Sequence, residues 1–538
     1  MPFLFGIKSC PDAYILIVIE FLEEYMEENM FLKHRVLSPL VCESTAEYIL
    51  PDYCGDIRKI LYTGARVLPL GSFEGNGSAE FSGNVEYTVV YEDQEHNLNS
   101  CKFTSEYELA VKCEEEEYAG SFCDANISTL SIRPVGPRKL SAKCTLSASV
   151  GINERKNKCV EGDTFDAHTP EVYEREVEHR TYDCIMGDTR SVRCENLFID
   201  GAIEDDISVY SMSVTPRQLT HTVNEDGVEV KGELLVKILY KNGDSMATQH
   251  EHVVDFAEQM TVDNAADFYL PKVRVGMTKY ACEVREDGVL ITSDIEYNVL
   301  LNCYGNEKLK LVCDCYLCDY EVNNEYGEFY YTRLVDSVSN EITREYEVSK
   351  ESVDGANIRN IIKADATAKI NSTKIYENGV EIEGTVRLSA ITCEINEDGT
   401  LGYGTVKFEL PLKENVKFDL QLTENYRTEC SVNVLNVDVD TDATNLYPIV
   451  SMCLDCFVLS DEKLPNLTSS YTFGEELARE EGVVTVYYPE KDETLFSVAK
   501  KFHKELVTLA SDNSLSESAF SSPYTPTSLS DVDSLIIT

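Results

Sequence analysis

Residues 79–91, Ala79-Glu80-Phe81-Ser82-Gly83-Asn84-Val85-Glu86-Tyr87-Thr88-Val89-Val90-Tyr91, set Phe81, Val85, Tyr87 and Val89 on one side and Glu80, Ser82, Asn84 and Glu86 on the other. A period of two over this length, behind the pair Asn76-Gly77, predicts a half-buried strand entered from a hairpin turn. The same construction returns at Val228–Tyr240 behind Asp226-Gly227, and at Val380–Thr392 behind Asn378-Gly379. Each copy carries a central glycine, Gly83, Gly232 or Gly384, on its inward side. Glycine weakens a strand that has no use for it, so the three positions predict a bulge or a close backbone approach. A second turn and strand follow each copy, ending at Tyr107-Glu108-Leu109, Val254-Asp255-Phe256 and Phe408-Glu409-Leu410. Turn, strand, turn, strand makes an antiparallel meander. The glycines stand about 150 residues apart, the size of a domain rather than a solenoid turn.

Outward from these copies the chain keeps the same habit, in short runs such as Lys139–Leu146 and Val289–Tyr297 bounded by Gly, Asp or Asn. The expected fold is therefore mainly all-β: three repeated antiparallel sandwich- or barrel-like units, then a small α+β module of strand–helix–helix–strand order. The boundaries read as an N-terminal extension 1–34, units at 35–155, 180–305 and 307–460, a linker 461–482 marked by Pro465 and a run of Glu and Arg, and the module 483–538. In that module Val483–Tyr488 reads as a strand. Thr494 or Asp492 can cap a helix running to Phe502, with Leu495, Val498, Ala499 and Phe502 as its apolar stripe. A second helical stretch spans Lys504–Ala510 and closes at Asp512-Asn513, and Leu535-Ile536-Ile537 is the last apolar run. Tyr487 and Tyr488 read as core or sheet-face residues before sugar-stacking ones.

The charge narrows the partners. Lys and Arg number 47 against 95 Asp and Glu, a net −48 over 538 residues. Such a chain repels phosphate backbones and anionic lipid, which disfavours nucleic acid and bare membrane and favours basic protein surfaces, cations or uncharged polymers. Acid runs such as Glu114–Glu117 read as solvated faces. The apolar run Ala13–Ile19 is broken by Glu20, Glu23 and Glu24, short of the roughly 20 residues a bilayer span needs, and reads as an N-terminal helix. Nineteen scattered cysteines, an odd number, with no cleavable-signal pattern, read as a reducing, cytosolic compartment.

Catalytic chemistry has little to stand on. Cys313-x-Cys315-x-x-Cys318 and Cys453-x-x-Cys456 could supply thiolates to zinc, but Leu309, Leu311, Cys313 and Cys315 also alternate as one strand face, where cysteine packs as a small hydrophobe. The eight histidines fall in no metalloprotease or triad-like motif, and no glycine-rich phosphate loop occurs. No catalytic residue, metal or cofactor is expected.

Two stretches carry a family resemblance. Thr494-Leu495, Val498-Ala499, Phe502, Leu509 and Asn513 resemble the LysM motif, which this chain leaves at Asp492-Glu493, where that motif has Gly-Asp. Leu50-Pro51-Asp52 through Asp56-Ile57-Arg58-Lys59-Ile60-Leu61 is similar to the opening of SPOCS domains, and the glycine-centred strands resemble their core. Over residues 40–538 the order resembles the clostridial spore-morphogenesis proteins that join SPOCS domains to a LysM domain. That resemblance implies a non-enzymatic scaffold or adaptor of spore coat assembly, in the mother-cell cytosol at the forespore surface. It also implies that the LysM-like module binds a coat morphogenetic protein such as a SpoIVA-like ATPase, with other coat proteins as further partners. Asp492, Glu493, Thr494, Leu495 and Asn513 are the partner-binding residues on this reading. The alternative is a peptidoglycan-binding wall or cortex protein; the absence of Trp and the Asp492-Glu493 departure weigh against it.

Overall fold

The computed structural model describes residues 30–75, 78–112, 118–157, 161–162, 171–262, 266–477, 484–490, 493–515, 529 and 532–538. The chain is mainly β and its sheets are antiparallel almost throughout. The first six strands are β1 (Met30–Ile49), β2 (Ile57–Gly75), β3 (Ser78–Asp93), β4 (Leu98–Lys112), β5 (Tyr118–Gly136) and β6 (Lys139–Asn157). Strands β2-β3-β4 form a meander, and β6 lies between β1 and β5 in a second sheet. The inward side chains of β3, Val85, Tyr87 and Val89, meet Leu140, Ala142, Cys144 and Leu146 of β6 in one core. The alternation quoted above thus places one face of the meander against the other sheet, each large side chain so buried contributing about 1.5–3 kcal/mol.

After a two-residue strand β7 (Glu161–Gly162) come β8 (Glu171–Met186), β9 (Arg190–Asp200), β10 (Ile207–Asn224), β11 (Gly227–Asn242), β12 (Thr248–Met260), β13 (Phe268–Arg285) and β14 (Gly288–Tyr316). Again the middle strands form a meander, β10-β11-β12, and the last strand, β14, pairs with β13 on one side and with β8 and β9 on the other. The third set is β15 (Tyr320–Glu345), β16 (Val348–Ser349), β17 (Ile358–Tyr376), β18 (Gly379–Ile395), β19 (Leu401–Lys417), β20 (Tyr426–Thr441) and β21 (Asn445–Glu476). Here the meander is β17-β18-β19, while β21 pairs with β20, β15 and β16. In all three sets the first strand pairs with the last, and the meander packs across from that sheet.

Several boundaries move. Residues 461–476, expected as linker, continue β21 and pair with β15 as far as Tyr320–Glu476. Pro465, which suggested a break, sits where the register shifts between Gly327 and Glu328, a place where a strand tolerates proline. Strand β14 runs unbroken across 306–307 to Tyr316, so the second set extends further than expected; it also begins earlier, at Glu171. The first begins at Met30 rather than residue 35. The N-terminal helix at 13–19, the Asn76-Gly77 turn, the Glu114–Glu117 run and residues 478–483 lie outside the described residues.

The central glycines stand where the neighbouring strand bulges. Register shifts at Pro69/Gly71, Arg217/Thr220 and Ile370/Ser372 lie beside Gly83, Gly232 and Gly384. A Cβ would come within 2.5 Å of the Leu68 carbonyl at Gly83 and within 2.4 Å of the Lys369 carbonyl at Gly384. Backbone cannot yield as a side-chain tip can, so a hydrogen at Cα is the only substituent that fits.

The three meanders also meet one another. Leu61, Tyr210 and Ile362, each 22 residues before a central glycine, join Val90, Leu239 and Ile391, each seven after it, in one apolar cluster. Beside it the Lys363 ammonium lies 4.8 Å from the centre of the Tyr62 ring and 3.1 Å from Asp365. Ionic and aromatic contacts tie the other sheets. Asp124 of β5 pairs with Lys272 of β13 at 2.9 Å, Arg180 of β8 with Glu429 of β20 at 3.2 Å, and the Tyr304 ring lies 4.6 Å from that of Phe457.

Candidate functional site

The C-terminal module consists of β22 (Thr485–Tyr487), α1 (Leu495–Phe502), α2 (Leu506–Asp512) and β23 (Leu535–Ile537), with β22 antiparallel to β23. Helix α1 starts where it does because Thr494 closes a capping box: the Ser497 amide donates to Thr494 Oγ1 at 3.1 Å, and the Thr494 amide donates to Ser497 Oγ at 2.9 Å. His503, left-handed at φ 50°, ends it. Leu495, Val498, Ala499, Leu509, Ala510, Leu535 and Ile537 fill a core that also takes in Tyr316, a residue of β14.

One stripe of α1 faces the body. Phe496, Lys500 and His503 follow the helical repeat, and each touches the strand pair that β14 forms with β8 or the turn after it. The Phe496 ring packs tilted against Tyr173 and edge-on against Tyr316, with centroids 5.6 and 5.3 Å away. Lys500 Nζ reaches both oxygens of Asp314, at 2.6 and 2.7 Å. His503 Nδ1 lies 3.1 Å from the Leu317 carbonyl, and the Tyr316 hydroxyl donates to the Lys504 carbonyl at 2.7 Å.

Four of the five residues singled out from the sequence fall inside the described chain; Asp492 lies outside it. The other four hold the module's shape. Leu495 is 2% exposed and belongs to the core, so its side chain is closed to a partner. Thr494 is the cap. The Glu493 carboxylate accepts from the Tyr487 hydroxyl and, at 2.9 Å, from the Glu490 amide; that amide and hydroxyl hold the carboxyl below the usual carboxylate range against a smaller effect of burial. Asn513 clamps the last strand, its Nδ2 donating to the carbonyls of Leu509 and Ile536, both at 2.8 Å, while its Oδ1 accepts from the Ile536 amide. Glu493 and Asn513 therefore bracket the two-stranded sheet, one tied to each strand.

The sequence reading missed the face of that sheet. Val484, Val486 and Tyr488 alternate outward at 64, 54 and 71% exposure, and Ile536, paired with Val486, is 45% exposed. Tyr487 points the other way, onto Phe502 at 5.2 Å, with Lys501 donating to its hydroxyl at 2.8 Å. The alternation was legible, but it could not say which face the helices would cover.

The thiol pairs do not converge. Cys313 packs with Val177, Leu309 and Leu464, whereas Cys456 packs with Val380, Ile382 and Val458. Among the described residues no three His, Cys, Asp or Glu side chains gather as a metal site, and no helix is long and apolar enough to cross a membrane.

No family model matches the chain, and no curated protein matches it. Among solved structures, the crystal structure of a lipopolysaccharide binding protein aligns with 49% of this chain and 91% of its own at 8% identity and a TM-score of 0.07. An overlap that poor carries no argument about fold or function.

Proposed function

We propose that this chain is a non-enzymatic assembly scaffold: three SPOCS-like β units carrying a LysM-like module that docks a protein partner. The recurrence of one pairing order in three sets of strands, with equivalent positions meeting at one cluster, supports reading the units as copies of one domain. The strand–helix–helix–strand order, the Thr494 cap and the Asn513 clamp support reading the module as LysM-like. The observation that carries the docking function is the outward face of Val484, Val486, Tyr488 and Ile536, apolar and uncovered on a module whose other side is already committed to the body. Small β surfaces of this kind give a partner a buried apolar centre. By its resemblance to the spore-morphogenesis protein SipL, the partner is a coat-basement SpoIVA-like ATPase at the forespore surface, in the mother-cell cytosol.

The test is capture of a purified SpoIVA-like ATPase by the full chain and by a V486D/Y488D variant, with circular dichroism to show that the variant stays folded. Both side chains are exposed, so the fold should persist while capture falls at least tenfold. Undiminished capture defeats the reading. Sedimentation of the full chain with peptidoglycan, abolished by the same variant, would defeat it in favour of a glycan-binding module.

A further inference from the structure

Sixteen cysteines lie among the described residues, and one pair stands apart by its geometry. Cys430 of β20 and Cys456 of β21 are directly opposed in the antiparallel register, and their sulfurs are 3.0 Å apart. Directly opposed residues of an antiparallel pair have Cα atoms roughly 4.5 or 5.5 Å apart, and both spacings fall within the range a disulfide bridges. No backbone movement is needed to join them. Cys453, the nearest thiol along the strand, alternates to the other face, beside Ser339 and Asp455, and does not compete.

The two sulfurs are unequal in access. Cys456 is wholly buried against Val380, Ile382 and Val458, while Cys430 is only partly covered. The contact between the two sulfurs, in which either thiol can donate, draws Cys430 below the ordinary thiol range against its burial, with help from the Thr428 hydroxyl, and drives Cys456 up. The more reactive sulfur is thus also the one that an oxidant reaches.

We propose that Cys430 and Cys456 form a reversible thiol–disulfide pair, oxidised by a hydroperoxide and reduced by a dithiol. The Cys430 thiolate attacks the terminal peroxide oxygen; the O–O bond breaks, and the leaving oxygen takes a proton as water or alcohol. Cys456 sulfur then attacks Cys430 sulfur, the S–O bond breaks, and hydroxide leaves with the Cys456 proton as water. Two thiols and one hydroperoxide give one disulfide, one water, and one further water or alcohol, and a dithiol reverses the change by exchange. The bridge ties β20 to β21 beside Phe457, whose ring meets Tyr304 and Phe268 of the second set. Oxidation therefore stiffens the third set where it joins the second.

The full chain, treated with hydrogen peroxide, acid-quenched, denatured and alkylated, should yield a peptide linking Cys430 to Cys456, two hydrogens lighter than its reduced parts and cleaved by dithiothreitol. C456S should leave Cys430 as a sulfenic acid that dimedone traps. Because a hydroxyl at the buried site can disturb folding, C430S, at the more accessible position, is the second variant; it should leave Cys456 fully alkylatable after peroxide. Full alkylation of both cysteines in the treated wild-type chain, or a link from Cys430 to any other cysteine, overturns the proposal.

Discussion

The β body and the C-terminal module solve the same problem at different scales. The body closes its apolar faces twice, once between the two sheets of each set and again where three meanders meet around Val90, Leu239 and Ile391. The module has two short helices and two strands of three residues each, and it borrows Tyr316 from the body to complete its core. A unit that small hides too little surface to stand firmly alone, and an isolated two-stranded sheet is marginal at best. The difference teaches that the module is a supported tip: α1 is spent on the body through Phe496, Lys500 and His503, while the face of β22 and β23 is left uncovered.

The comparison breaks most directly at the two cores. L239D places a carboxylate where three sets converge, at a position 1% exposed, and should destabilise the body by on the order of 4 kcal/mol or more. V498D, an equal insult within the module, should abolish the α1 signals while the body keeps its own transition. Urea titration followed by far-ultraviolet dichroism, together with hydrogen exchange of α1, separates the two. A single shared loss in both variants would show that the body depends on the module as much as the module on the body.

A smaller effect sharpens the boundary between them. D314A removes the partner of Lys500, a partly exposed pair, and should loosen the module by about 1 kcal/mol. Faster hydrogen exchange in α1 and α2, with β11 and β18 unchanged, is the expected outcome.

The smallest expected effect lies inside the body and depends on pH. The neighbouring Lys272 ammonium holds the Asp124 carboxyl below its usual range, against burial. Desolvation opposes the Lys272 charge, and Asp124 outweighs it, so that ammonium titrates above the ordinary lysine range. A depressed carboxylate contributes its stability in full above the ordinary aspartate value near ~4 and loses it as pH falls toward the folded-state value. Acid titration of the wild-type chain should weaken the β5–β13 contact in that lower window. D124N should flatten this part of the profile, and added salt should reduce it only in part, because the pair is half-covered.

Much of the body was legible in one dimension because strand periodicity and turn chemistry are local. The turn pairs Asp226-Gly227 and Asn378-Gly379, the alternation of Phe81 to Val89, and the three central glycines all do in the structure what their residue types require. The errors have an equally local origin. Pro465 and its charged neighbours resemble a linker, yet a bulge beside Pro465 lets β21 continue to Glu476. In the candidate site, Thr494 as a cap and Asn513 as the end of α2 were recognisable because capping is a short-range task, whereas the Asn513 clamp reaches Ile536, 23 residues away, and was not. The outward face of Val486, Tyr488 and Ile536 was not, since a short apolar strand shows two faces and only its neighbours choose between them.

The residues by themselves determined that this is a β-rich, strongly acidic chain with glycine-centred meanders and a helical tip, because period, turn type and charge are properties of neighbouring positions. Tertiary structure alone decided that Leu61, Tyr210 and Ile362 share one cluster, that the stripe of α1 is used up against β14, and that Cys430 faces Cys456. Those outcomes depend on the register and packing of strands far apart in the chain, where the free energy of closing apolar surface is set by the whole fold and not by any segment within it.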